Sequence, residues 1–518
     1  MTEDMQFEPL SGPTYPETLE EQLQALEDDE QLARFRAERE RLAADRYRPL
    51  YHFSPPENHL NDPNGLCQWG GRYHMFYQFW PEDSPRVHWG HAVSDDMVHW
   101  EDLPVAIYPT TEKDCYSGQT VVEDDRVIAI YHGTQSGNAI ATASDPLLLN
   151  WQKHPNNPVI PITPDGEPYR VFDPCIWREE DGYYSLSGTY ADGERGVDCV
   201  STDHLFYSPD LAEWEWLGPL LKDPFFAEPG EDGAVPNFWP ISDEKHMLLL
   251  FSHTRAGRYY VGDYDRETHR FVPDYHGRMN YGPINKGSLH APSATIDDQG
   301  RFLAIFNMRG GRSGAEWRGI MTLPRHLSLA ADNSLRIAPL PEMESLRFGC
   351  VTAPAATIPA NEYMVLEGMG GKAVEIAAEI ELGSAREVGL HVLRSPDGEE
   401  QTTISLYRDT RGPGRHSLGI DVSRASTRGN VEARPPEIGP LNLPEGEPLR
   451  LRVFIDRSVV EVFANDRQCL TIRAFPRRAD STGVAAFARG GEATLASCQA
   501  WQMRSIWPAL KRFEGAEG

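Results

Sequence analysis

A phrase that recurs along the chain constrains its fold more than any other feature of the sequence. It reads "SDDMVHW" at 94–100, "SDPLLLNW" at 144–151 and "SPDLAEWEW" at 208–216. Each copy follows a strand-like run, has an Asp near its start and ends in Trp. Repetition every roughly 50–60 residues in an all-β sequence is typical of a β-propeller, in which each blade is a four-stranded sheet. The stretch 50–340 has room for five blades, and we predict a five-bladed propeller there.

The sequence patterns at the two ends of the chain differ from the pattern of the predicted propeller. Residues 355–507 contain short alternating runs such as "LRLRVFIDRSVVEVFAND" joined by tight turns, which predicts a β-sandwich. The stretch around 340–355 is interpreted as the linker. Within an N-terminal extension, 1–49, the segment 16–47 carries Leu and Phe at helical spacing among many charges. We favour a helix packed on its own domain over an interaction or dimer helix, because the apolar stripe is short for a coiled coil.

Charge and composition exclude several classes of function. The 518-residue chain has 78 acidic and 49 basic residues, a formal net charge of −29, and such a field repels nucleic acid and anionic membranes. No N-terminal signal is visible, and no segment approaches the ~20 apolar residues of a membrane span. The seven cysteines are scattered without a CxxC pair, which indicates neither a zinc ribbon nor a disulfide framework. We expect a cytoplasmic protein with no metal and no cofactor, and a homo-oligomer stays among the options.

Two carboxylates of the predicted propeller lie where they could meet in space. Innermost strands of different blades point side chains into one channel mouth, so residues far apart in sequence can share a site. Asp62 in "NHLNDPNGL" and Asp173 in "YRVFDPCIW" both lie beside Pro in predicted turns between apolar segments. Glycoside cleavage needs such groups: one carboxylate attacks or stabilises the anomeric carbon, and one carboxylic acid protonates the leaving oxygen. Alone each Asp would be a turn former; together they are candidate site residues.

The motifs of this chain resemble those of glycoside hydrolase family 32, the invertases, levanases and other β-fructofuranosidases. "HLNDPNG" resembles the family's nucleophile motif, which makes Asp62 the candidate nucleophile and Asn61 a candidate substrate ligand. Segments 87–100, 317–329 and 453–463 also match, so the resemblance runs through nearly the whole chain beyond the N-terminal extension. It implies a five-bladed propeller followed by a β-sandwich, acting on fructosyl or related furanosyl linkages.

Two further segments carry substrate-binding candidates by the same resemblance. "YHMFYQFWP" is similar to the family's aromatic segment, which implies that Gln78 binds fructosyl hydroxyls and that Trp80 lines the pocket. "CYSGQTV" is similar to another family segment and places Tyr116 and Ser117 in the matching positions.

The second carboxylate motif departs from the family. The family has Arg-Asp-Pro, with the Arg contacting the sugar, whereas this chain has "FDP": Asp173 is present and Phe172 replaces the Arg. Phe cannot donate hydrogen bonds to sugar hydroxyls. Arg170 lies two residues earlier, on the same face of a regular strand, so we expect it to substitute in part.

The third motif has lost its proton donor. The family's Glu-Cys-Pro-Asp, which supplies the acid/base Glu, corresponds here to "AVPN" within 231–241, and Ala234 stands in place of the Glu. Glu231 or Asp232 upstream could take over the role, and we prefer Glu231 because its side chain is longer. The alternative for both is an exposed acidic turn. His253 is a weaker candidate that could face the channel, and "MRGGRSG", 308–314, is expected to be a loop near the site.

Hypotheses from two classes follow. The leading one is a glycosidase: by resemblance, Asp62 forms a covalent intermediate, Asp173 stabilises the oxocarbenium-like transition state, and water releases the sugar with retention. A fructosyltransferase would use the same first step. The alternative is a non-hydrolytic sugar-binding propeller, favoured by the joint loss of Arg and Glu and opposed by the intact "NDPNG". Each predicts a small-molecule or oligosaccharide ligand.

Overall fold

The computed structural model describes residues 7–164, 168–191, 193–221, 227–284, 289–310, 314–409, 415–431 and 433–507. They form a five-bladed β-propeller followed by a β-sandwich, with a short helical extension before them, which confirms the predicted fold class. No helix in these ranges is both long and apolar enough to span a lipid bilayer.

The N-terminal extension contains two helices where the sequence predicts one over 16–47. They are α1 (Leu19–Glu27) and α2 (Glu30–Leu42). The break lies at Asp29, whose carboxylate caps α2 by accepting a hydrogen bond from a backbone N–H of its first turn at 2.8 Å. The apolar side of α2 packs on the propeller, where Phe35 meets Phe79 edge-on at 5.8 Å between ring centroids. This is the packing that we favoured over a free interaction helix.

Within the described residues, each of the five propeller blades is one antiparallel sheet, and blade 3 has a second, two-stranded sheet beside it. Blade 1 contains β1 (His59–Trp69), β2 (Arg72–Trp80), β3 (His88–Ser94) and β4 (Trp100–Ile107). Blade 2 contains β5 (Cys115–Val122), β6 (Val127–Gly133), β7 (Gly137–Ala143), β8 (Gln152–Lys153) and β9 (Ile160–Pro161). Blade 3 contains β10 (Pro174–Glu179), β11 (Gly182–Ser187), a separate two-stranded sheet of β12 (Tyr190–Ala191) and β13 (Val200–Ser201), then β14 (His204–Ser208) and β15 (Glu215–Pro219).

The last two blades are similar in plan. Blade 4 contains β16 (Ala234–Pro240), β17 (His246–Ser252), β18 (Ala256–Asp265) and β19 (Arg270–Arg278). Blade 5 contains β20 (Leu289–Ile296), β21 (Phe302–Met308), β22 (Ile320–Met321), β23 (Arg325–Leu329) and β24 (Leu335–Pro339). The first strands of the five blades, β1, β5, β10, β16 and β20, contact one another in a closed ring. Their side chains are therefore the ones that reach the central channel.

The recurring phrase marks the same place in three successive blades. Each copy joins the third strand of a blade to the fourth. The turn places one residue in the left-handed region in every copy, with φ of 66° at Met97, 53° at Leu148 and 73° at Leu211. In two copies the Trp then donates its indole N–H back to that residue's carbonyl, at 3.0 Å for Trp100 and 3.1 Å for Trp214. The repeat is thus a turn motif of the blade.

The sandwich begins earlier than the sequence predicts. The expected linker, 340–355, holds a 3₁₀ helix (Pro341–Leu346) and then a strand, Arg347–Ala353, that is already paired inside the sandwich. Its strands are β25 (Arg347–Ala353), β26 (Ala356–Ile358), β27 (Glu362–Val365), β28 (Ala373–Glu381), β29 (Glu387–Arg394), β30 (Thr402–Arg408), β31 (Arg415–Asp421), β32 (Glu437–Asn442), β33 (Leu449–Asp456), β34 (Val459–Ala464), β35 (Gln468–Arg473), β36 (Gly483–Arg489) and β37 (Ala493–Met503). One sheet has the order β25-β37-β28-β33-β34-β35, with β26 on β37, and the other β27-β36-β29-β30-β31-β32.

Buried charges join the sandwich to the propeller. Asp456 accepts hydrogen bonds from the backbone N–H groups of Leu50 and Tyr51, both at 2.7 Å. Glu461 is fully buried and pairs with Arg325 of blade 5 at 2.8 Å. Because breaking one partner of a buried pair leaves an uncompensated charge, these contacts hold the two domains in one arrangement.

Candidate active site

The innermost strands of four blades lose register with their neighbours at the centre of the ring. The shifts lie between Leu60 and Pro63 in β1, Cys115 and Gly118 in β5, Ala234 and Asn237 in β16, and Leu289 and Pro292 in β20. A bulge of this kind re-aims the side chains of the extra residues. The "NDPNG" segment, predicted to be a turn, is therefore a bulged part of the continuous strand β1, and the bulge directs Asp62.

These strands surround a cavity of about 930 Å³ at the mouth of the channel. Seven of the predicted site residues line it: Asn61, Asp62, Gln78, Trp80, Tyr116, Phe172 and Asp173. Four others, Ser117, Arg170, Glu231 and Asp232, lie behind its surface or away from it. Trp80 stacks on His59 at 4.5 Å between ring centroids and forms an aromatic wall.

Asp62 is held on both of its oxygens. Its Oδ2 accepts a hydrogen bond from Ser117 Oγ at 2.8 Å and one from Gln78 Nε2 at 3.4 Å. Its Oδ1 accepts one from Asn307 Nδ2 at 3.2 Å, and His290 Nδ1 lies 3.4 Å from the same oxygen. Ser117, a predicted substrate ligand, thus contacts the carboxylate rather than the cavity.

These contacts keep Asp62 ionised. Burial alone would raise its pKa, but His290, the positive charge of Arg309 and the Ser117 hydrogen bond lower the pKa to about 2. Burial lowers the pKa of His290 to about 4, so this imidazole is neutral at neutral pH. At neutral pH the Asp62 side chain is therefore a carboxylate with lone pairs available to an electrophile.

Asn61 organises the floor around Asp62. Its Nδ2 donates to Gln78 Oε1 at 3.0 Å, while its Oδ1 accepts from Asn307 at 3.0 Å and from Arg309 Nε at 2.8 Å. Arg309 belongs to the predicted site loop 308–314, of which 311–313 lie outside the described residues. Asn61 therefore links blade 1 to blade 5 as well as lining the cavity.

Asp173 has the opposite electrostatic environment. Burial, reinforced by the negative charge of Asp62, raises its pKa to about 7, against the lowering effects of His253 and Arg195. The cavity therefore contains two carboxyl groups whose pKa values are pushed far apart. A pair of this kind is a recurrent sign of acid and base roles in an active site.

The cation beside Phe172 is not the one that the sequence predicts. Arg170 lies over the ring of Tyr190 at 4.7 Å, donates to its hydroxyl at 3.2 Å and does not line the cavity. Arg195 instead lies 5.3 Å from the Phe172 ring centroid and lines the cavity. Arg170 therefore does not take the expected place, and the arginine that lies beside Phe172 at the cavity is Arg195, on the loop between β12 and β13.

The structure does not bring Glu231 to the cavity. Its side chain is fully buried, with Oε1 paired to Arg258 Nη1 at 2.7 Å and Oε2 accepting the backbone N–H of Glu228 at 2.9 Å. Ala234, in contrast, lines the cavity. Burial raises the pKa of Glu231, although Arg258 opposes this. Glu231, the acid preferred from the sequence, is therefore part of a buried ion pair. The alternative, in which Glu231 and Asp232 belong to an exposed acidic turn, is contradicted as well because both side chains are buried.

Asp232 lies just beneath the cavity surface and contacts residues that line the cavity. Its carboxylate accepts two hydrogen bonds from His253, from the backbone N–H and from Nδ1, both at 2.8 Å. Arg195 Nε lies 3.1 Å from the same carboxylate. Burial would raise the pKa of Asp232, but the two hydrogen bonds and the charge of His253, together with the charge of Arg195, outweigh burial and lower the pKa. His253 and Arg195 both line the cavity, so Asp232 positions two residues that reach it.

Sequence reasoning missed several of the residues that line the cavity: Arg195, His290, Arg318, His132 and His59. His290 could have been found by aligning first strands, because it occupies the bulge of β20 as Asp62 occupies that of β1. Arg195 and Arg318 lie in loops without a periodic signal. Across the described ranges, no group of three or more His, Cys, Asp or Glu side chains could hold a metal ion.

Both domains of the chain match models of a known protein family. Residues 52–339 match the model of the glycosyl hydrolases family 32 N-terminal domain, and 342–502 match that of the family 32 C terminal. Levanase of Bacillus subtilis is 29% identical over 511 residues, which cover 89% of this chain and 71% of levanase. Sucrose-6-phosphate hydrolase of Escherichia coli is 28% identical over 490 residues, covering 88% and 94% of the two chains.

Solved structures have the same fold. Fructan 1-exohydrolase IIa from Cichorium intybus superposes with a TM-score of 0.79 at 25% identity, over 89% of this chain and 98% of that one. A Bombyx mori β-fructofuranosidase variant in complex with sucrose gives a TM-score of 0.71 at 25% identity, over 92% and 98% of the two chains.

Proposed function

The chain belongs to family 32 of the glycosyl hydrolases and is a glycosidase, and we propose that it hydrolyses fructosyl linkages by a retaining double displacement with Asp62 as nucleophile. The observation that carries this proposal is the cradle of Asp62: a carboxylate at the mouth of the propeller channel, bonded on both oxygens and with its pKa lowered to about 2. A retaining glycosidase needs such an ionised group facing the anomeric carbon.

The first half of the reaction follows from these positions. A fructosyl ring binds between Trp80 and the polar floor formed by Asn61 and Gln78. Asp62 attacks the anomeric carbon, the bond to the leaving oxygen breaks, and a fructosyl ester of Asp62 forms. Asp173 contacts hydroxyls of the same ring and stabilises the oxocarbenium-like transition state. In the second half, water attacks the anomeric carbon, the bond from that carbon to the Asp62 oxygen breaks, and the Asp62 carboxylate is released.

The stereochemistry of methanol transfer tests this mechanism. A β-fructofuranoside substrate in aqueous methanol should give methyl β-fructofuranoside alone, because two inversions at one carbon retain configuration. Proton NMR of the early product identifies the anomer. The α-anomer as the initial product would overturn the proposal. The ratio of hydrolysis to sugar transfer at high sucrose concentration distinguishes a hydrolase from a fructosyltransferase in the same assay.

A phosphorylated sugar is a second candidate substrate. Arg318 is exposed and lines the cavity, and in the part of the chain that the structure describes its guanidinium makes no ion pair or hydrogen bond. A phosphate is the group that an open guanidinium binds best. Sucrose-6-phosphate hydrolase of Escherichia coli is among the relatives of this chain.

The comparison of sucrose with sucrose 6-phosphate decides between the two substrates. If the phosphate binds Arg318, kcat/KM is higher for the phosphorylated sugar, and Arg318→Ala removes that preference. Arg36→Ala, a change at an exposed arginine on α2 far from the cavity, is the matched control. Equal kcat/KM values for the two sugars would exclude this candidate.

The cellular location is a further part of the proposal. All seven cysteines are free, and six of them are buried, which supports a reducing, cytoplasmic environment. Fractionation of the source cells with activity measurements tests this. Sedimentation of the purified chain tests the homo-oligomer that the sequence leaves open.

A further inference from the structure

The cavity lacks a carboxylic acid at the position where the family's motif has one. Ala234 pairs across the sheet with Phe251, and both residues line the cavity. The ring of Phe251 contacts His253 on one side, at 5.1 Å between centroids, and His290 on the other, at 3.6 Å. Because His290 lies against Asp62, these contacts bring His253 to the wall that connects the vacant position with the nucleophile.

Hydrogen bonds hold the imidazole of His253 in one orientation. Its Nδ1 and its backbone N–H are both bonded to Asp232, whose side chain is only 1% exposed, so the ring is fixed in orientation and tautomer. Among the described residues, none makes a hydrogen bond to Nε2. The side chain is 41% exposed and lines the cavity, so Nε2 is available to a substrate and can exchange protons with solvent.

The other proton carriers near Ala234 fit the role less well. Glu231 is fully buried in its pair with Arg258 and does not reach the cavity. Asp203 is fully buried and does not line the cavity either. Asp173 does line it, but its carboxylate is the group expected to face the sugar hydroxyls.

We propose that His253 is the general acid/base of this enzyme, taking over the role of the missing Glu, and that Asp232 is its positioning residue. The inference rests on the proposed fructosyl hydrolysis with Asp62 as nucleophile. It names the partner that this reaction needs, and it explains why Asp232 is buried beneath the surface of the cavity.

The proton balance of the two half-reactions is complete. In the first, the bond between the anomeric carbon and the leaving oxygen breaks, its electron pair stays on that oxygen, and the oxygen takes the proton from Nε2 of the imidazolium. In the second, neutral Nε2 accepts a proton from water while the water oxygen attacks the same carbon and the ester bond to Asp62 breaks. His253 ends as imidazolium and Asp62 as carboxylate.

The charged groups around the ring come from four elements. Asp232, before β16, is bonded to Nδ1, and Arg195, between β12 and β13, pairs with that Asp232 carboxylate. Asp173, before β10, and His290, on β20, have pKa values that respond to His253. The ring thus lies among acidic groups, Asp232 and Asp173, and basic groups, Arg195 and His290.

The leaving group decides the test. His253→Gln should lower kcat/KM for sucrose by about 10²–10⁴-fold, because the alkoxide leaves unprotonated. For 4-nitrophenyl β-fructofuranoside, whose phenolate needs no proton, kcat/KM should fall by less than about 10-fold. kcat for this substrate should still fall, since water attack has lost its base, and azide should restore kcat with formation of fructosyl azide.

Matched variants separate this role from a structural one. His99→Ala removes a surface imidazole that is bonded through Nδ1 to Asp96 at 2.8 Å, the same arrangement away from the cavity, and should leave both substrates unaffected. Asp232→Asn should lower sucrose turnover with little change in KM, and Ala234→Glu in the His253→Gln background should recover part of it. Circular dichroism and thermal unfolding show that the variants are folded.

Each result supports or overturns the proposal. Equal losses of kcat/KM on both substrates, or no loss on either, would show that His253 is not the acid. A leaving-group effect in Asp173→Asn and none in His253→Gln would assign the role to Asp173. If instead Asp62→Asn retained activity on the aryl substrate, the proposed function itself would fail, and that outcome is distinct from the others.

Discussion

Opposite walls of one cavity follow the family pattern to different degrees. The blade 1 wall keeps "NDPNG", and Asp62 accepts hydrogen bonds there from Gln78 of blade 1 and from the Ser117 hydroxyl of blade 2. The wall formed by blades 3 and 4 has replaced an Arg by Phe172 and a Glu by Ala234, and it presents Arg195 and His253 instead. The blade 1 wall thus keeps the residues of its family motif, whereas the wall formed by blades 3 and 4 has a changed residue in each of its two motifs.

The contrast separates two kinds of constraint on an active site. The nucleophile must face the reacting carbon at a fixed distance. The hydrogen-bond partners of Asp62 come from three blades, so a change to one partner disturbs the others. A proton donor only has to reach the leaving oxygen with a suitable pKa, which an imidazole or a carboxylic acid can do from neighbouring backbone positions. The second requirement has more solutions than the first.

The largest expected effect is loss of the nucleophile. Asp62→Asn should lower kcat/KM for 4-nitrophenyl β-fructofuranoside by about 10⁴-fold or more, because no alternative group attacks the anomeric carbon. Release of nitrophenolate measures it. Asp95→Asn, at a carboxylate with 84% of its side chain exposed, is the control and should behave as wild type. Near-normal rates for Asp62→Asn would show that Asp62 is not the nucleophile and that the blade 1 wall does not differ from the opposite wall in this role.

Loss of one cradle contact should have a smaller effect. Ser117→Ala removes the 2.8 Å hydrogen bond to Asp62 Oδ2 and should reduce kcat/KM by about 10–100-fold, since hydrogen bonds to charged groups are strong. Without this bond the pKa of Asp62 rises, so the acidic limb of the pH profile should move to higher pH. An unchanged acidic limb would mean that the bond does not hold the carboxylate.

On the rebuilt wall, Arg195→Ala should raise KM by about 10-fold with little change in kcat, because it removes a cation that lines the cavity and not a reacting group. Arg170→Ala is the matched control: that arginine contacts Tyr190 and does not line the cavity, so KM should change less than twofold. Initial rates over a range of sucrose concentrations measure both. The reverse order of effects would restore the assignment made from sequence.

The smallest expected effect is on the electrostatic interaction between Asp62 on one wall and Asp173 on the other. The charge of Asp62 helps to raise the pKa of Asp173 to about 7, so in Asp62→Asn the pKa of Asp173 should fall toward the ordinary Asp value. Carbon-13 NMR of labelled Asp carboxyls follows the titration. Asp203, whose pKa of about 7 results from burial with contributions from Asp232 and Glu231, is an internal control that should not move.

The same shift makes a prediction about stability. The folded state holds a proton on Asp173 more tightly than the unfolded chain does, so the native state loses stability as pH rises from about 4 to about 7. Asp173→Asn removes this loss and should raise Tm by about 2–4 °C at pH 8 and not at pH 4. Calorimetry at the two pH values checks it. Equal shifts at both would show that the charge is not the cause.

Local motifs account for the site residues that the sequence located well. Asn61 and Asp62 lie together in one bulge, and Gln78 and Trp80 lie on the adjacent strand β2, so their relative positions follow from one hairpin. The failures concern residues whose contacts are distant. Closeness of Glu231 to Ala234 in sequence suggested a short displacement, yet the chain turns inward before β16 and the carboxylate pairs with Arg258, 27 residues away.

The sequence by itself determined the blade repeat and the sandwich, and it singled out Asp62, which the structure places in a strand bulge at the cavity. Strand periodicity, the recurring turn and "NDPNG" are local signals, which packing reinforces and does not reverse. Only the tertiary structure decided which acids and cations reach the cavity. A buried charge must find a partner to offset its desolvation, and Glu231 found Arg258 while Asp232 found His253. Those partners come from other strands and loops, so the direction of each side chain is a property of the assembled propeller.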